Sequence, residues 1–325
     1  MMRQRSHASR ILSLAMLSSV FASAAGAQDV VRVAVPQRGT WETSVPDLGE
    51  QAKIFAKHGV KIEALYTSGG GETMQALIAG SVDVAISTGT AAVFAAYVKG
   101  APIRPVATSV TGAREIFWYV KADSPIKTLK DAAGKSMAFS AIGSSSNLAV
   151  LKLIKMAGVD IKPVSTGVPV ATFTQTMTGQ VDIGWSAAPF ALGALQEKRI
   201  RTVANVGDIV EYRDMSARLH VANMNFVTSK PDVLKRFLTG YSETLDWMYK
   251  SDDAARIFAE MYKVKEADTH QTRDEFYTRE SLDIKRLSGL DQAMEDARHL
   301  QVHQQGPHQD RTGRPVQISY QVTAR

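Results

Sequence analysis

Three polar loops carry the residues that could bind a charged ligand. Thr67-Ser68-Gly69-Gly70-Gly71-Glu72 joins a strand pattern to a helix pattern, and Ser140-Ala141-Ile142-Gly143-Ser144-Ser145-Ser146-Asn147 does the same later in the chain. A helix N-terminus has unpaired N–H groups and a partial positive charge; glycine lets a ligand approach the backbone, and serine adds donors. Such a combination suits sulfate, sulfonate, phosphonate, carboxylate or nitrate. Serine before a helix is also an ordinary cap, so either loop alone supports both readings. Candidate contacts are Ser68 and Gly69 in one loop and Gly143 and Ser144 in the other. The third loop, Gln37-Arg38-Gly39-Thr40-Trp41-Glu42, offers Arg38 to an anion and Trp41 to an organic group. A surface arginine and a partly buried tryptophan fit that loop equally well. Trp185 fits either an apolar ligand wall or plain core.

Other chemistry is poorly served. Neither glycine loop has the phosphate-loop or dinucleotide spacing. No Ser-His-Asp set can be assembled, since His58, His220 and His270 sit in unremarkable polar contexts. The sequence contains no cysteine, which removes disulfides, thiolate metal sites and a cysteine nucleophile. His299 and His303 stand four apart without a supporting carboxylate or thiol cluster. No catalytic residue, metal or cofactor is therefore expected.

The elements that must position these loops are written twice. Ala79–Thr88 reads AGSVDVAIST and Thr178–Ala187 reads TGQVDIGWSA, with Gly80, Asp83 and Ser87 each repeated 99 residues later as Gly179, Asp182 and Ser186. Each copy follows apolar residues at helix spacing (Met74, Leu77 and Ile78; Phe173 and Met177), stops at glycine and continues as a short apolar strand. Strands are expected at Val82–Ile86 and Val181–Trp185. Helix, glycine, strand and small polar loop make half of an α/β unit, and such loops fall at the strand edge where open α/β sheets bind ligands. The loops after the two copies add Ser87 and Thr88 as candidate contacts. Strands alternating with helices over the chain imply an α/β fold of two lobes joined by a hinge, with a ligand cleft between them.

The N-terminus reads as an export signal: Arg3, Arg5 and Arg10, an apolar core Ile11–Phe21 too short to span a bilayer, and the small-x-small site Ala25-Gly26-Ala27. Three arginines and no acids leave with it, so the formal net charge of +6 becomes +3. That weakens any nucleic-acid reading, which no basic-aromatic run supports. About 298 residues then suffice for one large or two medium domains. The expected organisation is a signal over 1–27, a first lobe over 28–119, a second over 120–220, a return with C-terminal helices over 221–300, and an irregular tail over 301–325. REIFWYVKADSP and ANMNFVTSKPD are the expected crossings.

With VRVAVP as first strand, SGGGETMQALIAGSVDVAIST, DSPIKTLKDAAGKSMAFSAIGSSSNLA and MTGQVDIGWSAAPF, the chain resembles the periplasmic substrate-binding proteins of ABC importers, within them the nitrate, taurine and aliphatic-sulfonate group. The resemblance covers about Val30 to Leu300. It implies lobes that close on a ligand and hand it to a membrane permease, the protein being a periplasmic monomer, but it does not fix the ligand. The loops offer Ser, Thr, Gly and backbone N–H donors with Arg38 nearby and few carboxylates, which favours an anion, and Trp41 and Trp185 favour an organic one, a sulfonate ahead of a carboxylate. Thr40, Trp41, Ser68, Gly69, Ser87, Thr88, Gly143, Ser144 and Trp185 match the family's contact positions. A pyrimidine precursor of thiamine is an alternative ligand, and thiamine-pyrimidine synthases share the general fold, although their cysteine-rich motif and lack of an export signal set them apart. A binding protein serving a chemoreceptor is a third reading. Beyond MEDARHL the resemblance stops; a one-base shift of reading frame would turn QVHQQGPHQDRTGRPVQ into KFINKAPIKTEQVAQ, which resembles the family's ending.

Overall fold

The computed structural model describes residues 28–294; the signal segment and the tail with its histidines lie outside the described residues. Among the described residues, ten strands fall into two groups. β1 (Asp29–Val35), β2 (Val60–Tyr66), β3 (Val84–Gly89), β4 (Ile103–Thr111) and β10 (Ser216–Asn223) form a sheet in the order β2-β1-β3-β10-β4. The second group comprises β5 (Ile116–Lys121), β6 (Ser136–Phe139), β7 (Lys162–Ser165), β8 (Gly184–Ala187) and β9 (Ile200–Asn205). Its members pair as β8-β5-β9 and β6-β7, and a parallel bridge from Met137 to Ile183 connects the pairs. Its order, β7-β6-β8-β5-β9, therefore repeats that of the first sheet.

Each sheet buries both faces, as mostly parallel sheets must. On one face of the first, Ala34, Ala85 and Val221 pack against Met74 and Leu77 of the helix Gly70–Ile78. Val31, Val33 and Val35 point the other way, into the main core with Phe55, Phe237 and Tyr241. In the second lobe Tyr119 is covered by Phe173 of the helix Pro169–Met177.

The repeated phrase is a pair of strand latches. Asp83 accepts hydrogen bonds from the Arg32 backbone N–H and from Nε and Nη2 of its side chain at 2.9, 3.1 and 2.7 Å, fixing β1 beside β3. Asp182 accepts from the Ser136 N–H at 2.9 Å and hydroxyl at 2.8 Å, fixing β6 beside β8. Gly80 and Gly179 take the left-handed conformation (φ +74° and +77°) expected of helix stops. The duplication extends to the loops after β2 and β7: Thr67 and Thr73 share a 2.6 Å hydroxyl contact, and so do Thr166 and Thr172. The strands themselves begin later than expected, at Val84 and Gly184, because the aspartates bind side chain to backbone before regular pairing starts.

The chain crosses between lobes at 112–115 and returns at 206–215. β5, expected as the crossing, lies wholly in the second group, and β10 wholly in the first sheet, so the crossings precede the expected positions by several residues. The aromatic run Phe117–Tyr119 is buried because β5 is an interior strand between β8 and β9.

Candidate functional site

The lobes enclose a cleft at the carboxyl ends of their parallel strands. Four loops and two strand ends supply most of its lining: Pro36, Gln37 and Thr40 after β1; Ser68, Gly69 and Gly70 after β2; Ser87 and Gly89 of β3; Ser140 and Ser144–Ser146 after β6; Val168 after β7; and Trp185 and Ala187 of β8. The free volume is about 60 Å3. At 10–15 Å3 per water-sized position, that is room for roughly four to six waters.

The lobes touch around it. A Cβ on Gly89 would stand 2.6 Å from the Gly143 carbonyl oxygen, and one on Gly39 3.2 Å from the Phe190 ring. Gln196 in the second lobe donates to Asp268 in the C-terminal helices at 3.0 Å. The molecule is thus closed.

Serines organise one wall. The helix Ser145–Ala157 starts at Ser144, whose hydroxyl accepts from the Asn147 N–H at 3.1 Å. The hydroxyls of Ser140, Ser144 and Ser146 lie within 3.0 Å of one another, so their protons can reorient toward a ligand. On the opposite wall, the Glu72 carboxylate accepts from the Ser68 N–H and hydroxyl at 2.8 and 2.5 Å.

At the cleft floor lies a charge cluster. Arg218, on β10, donates to Glu42 at 2.5 Å and also to Glu115 in the crossing segment; its Nε reaches the Ser145 hydroxyl at 3.1 Å. Ser87 donates to the same Glu42 oxygen at 3.0 Å. Burial works against the charge of Arg218, but Glu115 and Glu42 outweigh it and its pKa is raised. Burial pushes the Glu115 carboxyl up, against the pull of Arg218. His220, behind Ser87, is neutral, its pKa pushed down by burial to about 3.

Of the residues expected from sequence, Thr40, Ser68, Gly69, Ser87, Ser144 and Trp185 share the cleft lining. Four do not line it. Arg38 is exposed, its guanidinium 4.8 Å from the Tyr66 ring centroid and 5.8 Å from that of Tyr262, so the arginine at the cleft is Arg218 instead. Trp41 is fully buried against Phe258 and Tyr249, because its loop turns back into a helix that carries the ring into the core. The Thr88 hydroxyl donates to the Leu219 carbonyl at 2.8 Å and ties β3 to β10. Gly143 gives its N–H to Asn147 and its carbonyl to the lobe contact. Glu42 adds a carboxylate to the cleft lining, and Glu115 stands behind it on Arg218. Gln37, Glu42, Glu115, Arg218 and Tyr277 were missed. Their signal was present: Arg218 interrupts the strand SARLHVAN, and Glu115 opens an aromatic one, so each needs a buried partner.

Two β-sheet lobes closed on a cleft at their strand ends define the periplasmic binding protein fold. The model of the NMT1/THI5 like family matches residues 49–255, and the chain belongs to that family. No curated protein matches the sequence. Among solved structures, the alkanesulfonate-binding protein SsuA from Xanthomonas axonopodis pv. citri, bound to MOPS, is similar at TM-score 0.68 and 19% identity, over 84% of this chain and 91% of its own. The periplasmic nitrate-binding protein NrtA from Synechocystis PCC 6803 is similar at TM-score 0.63 and 14% identity, over 80% and 76%. The desulfurization enzyme DSZB is similar at TM-score 0.59 and 16% identity, over 85% and 92%. The fold is therefore shared by binding proteins and an enzyme.

Proposed function

We propose that this protein is an extracytoplasmic solute-binding protein that captures a small organic anion, a short sulfonate first, and delivers it to an ABC permease. The observation that carries the reading is the cleft itself: a small volume between two lobes, with a helix N-terminus, serine hydroxyls and a guanidinium converging on it. The sulfonate- and nitrate-binding neighbours and the signal-like N-terminus support it, and among the described residues no helix is long and apolar enough to cross a membrane. The proposed contacts are Thr40, Ser68, Gly69, Ser87, Ser144 and Trp185, together with Arg218 in the role expected of Arg38.

A thermal-shift panel of short sulfonates, nitrate, short carboxylates and the thiamine pyrimidine tests this. A ligand at a hundred times its Kd stabilises the protein by about 2.7 kcal/mol. A short organic sulfonate is expected to raise the melting temperature most. Stabilisation by neutral or cationic compounds alone overturns the reading.

A further inference from the structure

We propose that the segment Pro315–Ala324, which lies outside the described residues, adds as a strand to the free edge of β4 and seats its apolar side chains in the groove beside it. The site shares no residue with the lining of the ligand cleft, so the proposal goes beyond the transport reading.

β4 is the edge strand of the first sheet: it pairs with β10 on one side, and among the described residues no strand lies on the other. Ile103 and Thr108–Thr111 are buried, whereas Pro105, Val106 and Ala107 between them are only half-buried. Those three residues line an apolar groove that Leu238 of the helix Pro231–Lys250 and Ile284 and Leu287 of the following segment complete. Its free volume is about 730 Å3, against about 60 Å3 in the cleft, and Leu287 is 56% exposed. Exposed apolar surface of this extent marks a place where something docks. The Thr108 hydroxyl lines the groove too, buried and without a hydrogen-bond partner, and a backbone laid along the strand would supply one. The Thr108 N–H already donates to the Ile284 carbonyl at 3.0 Å, so chain from outside the sheet does pair with this strand.

The remaining sequence supplies the occupant. Val316, Ile318, Tyr320 and Val322 alternate with Gln317, Ser319, Gln321 and Thr323. This is the pattern of a strand with one apolar face, rich in β-branched and aromatic residues. Pro315 to Ala324 carries no charged side chain. Met294 stands seven residues after the groove residue Leu287, within about 25 Å of it at full extension. The 21 residues from 295 to 315 can span roughly 70 Å, enough to return to β4. A second copy of the protein fits less well. Lys235 and Lys285 line the groove and no acid does, so two such faces together would crowd four lysines without a counter-charge.

The chain has no cysteine, so Leu287→Cys gives a protein whose single thiol lies in the groove. Its maleimide labelling is timed in the full chain with the tail unaltered, and again with Ile318→Asp and Tyr320→Asp in the tail. Labelling should be at least tenfold slower with the unaltered tail. With the substituted tail it should approach the rate of a reference thiol at an exposed site, Lys155→Cys. Val106→Cys repeats the comparison on the strand itself, and circular dichroism checks that every variant is folded. A contrast between the two tails at either position carries the proposal. Equal rates with both tails at both positions overturn it: fast labelling would leave the groove open, and slow labelling would give it to another occupant. Protection that appears only as the protein concentration rises overturns it in favour of a second copy.

Discussion

The Arg218 guanidinium on the last strand of the first lobe donates to the Ser145 hydroxyl at the helix N-terminus of the second, 3.1 Å away. It is a hydrogen bond from a charged donor that exists only when the lobes are together. Such bonds contribute about 1.5–3 kcal/mol. Ser145→Ala should therefore weaken ligand binding by roughly tenfold or more, because closure and binding are linked, while the unliganded melting temperature stays near that of the parent. Unchanged affinity by calorimetry would show that this contact does not hold the closed form.

Arg218→Ala should behave differently. It strands Glu42 and Glu115 in the interior, and breaking a buried ion pair from one side costs about 3–5 kcal/mol. Urea unfolding should show that loss without any ligand. Arg38→Ala is the contrast: exposed cation–π contacts contribute about 0.5–1 kcal/mol, so it should alter stability slightly and leave affinity near the parent value.

Gly89 has an ordinary φ of −57°, so a side chain there strains no backbone; the obstacle is the Gly143 carbonyl of the other lobe. Gly89→Val should fold and keep its unliganded stability yet fail to compact. Small-angle scattering with ligand should show a smaller radius for the parent and no change for the variant. Equal compaction of both would mean the lobes do not meet at this point.

Acid sensitivity follows from His220. Its folded value is about 3 against 6.5 for the free side chain. Between these the unfolded chain binds the extra proton, so stability rises with pH through this window, is fully present above about 6.5, and is lost as pH falls toward 3. The slope from one group reaches about 1.4 kcal/mol per pH unit. Denaturant unfolding at pH 7 and pH 4.5 should show a larger loss for the parent than for His220→Gln. Identical losses would place the acid sensitivity in other groups.

The two aspartate latches give a further check. Asp83→Ala and Asp182→Ala each remove bonds between neighbouring strands, and each should cost about 1–3 kcal/mol. Because the sites lie in different sheets and share no partner, the double variant should lose the sum, read from urea midpoints. A strongly non-additive double variant would mean that the latches are coupled.

The repeat, the two-lobed α/β plan and several cleft-lining loops were legible because they are local: periodicity, a stop glycine and a strand-to-helix loop leave marks in neighbouring residues. Thr40, Ser68 and Ser144 could be named on that basis. What was hidden depends on pairing across distance. Glu42, Glu115 and Arg218 meet only when the chain has crossed between lobes and returned, and nothing local says which buried arginine will find which acid. Trp41 and Thr88 show the converse, since their residue types suit a ligand but core packing and a backbone carbonyl claim them first.

The strand order also sets a timetable for the emerging chain. Among the described strands β4 pairs only with β10, whose first residue lies 105 positions after the last of β4, whereas every described strand of the second lobe falls between them. During synthesis or translocation the second lobe is therefore complete before β4 has its neighbour. A nascent chain halted near residue 210 should hold a protease-resistant second lobe beside a first lobe that is still cleavable, and the nine-residue strand Ile103–Thr111 would be the segment a chaperone has most reason to cover.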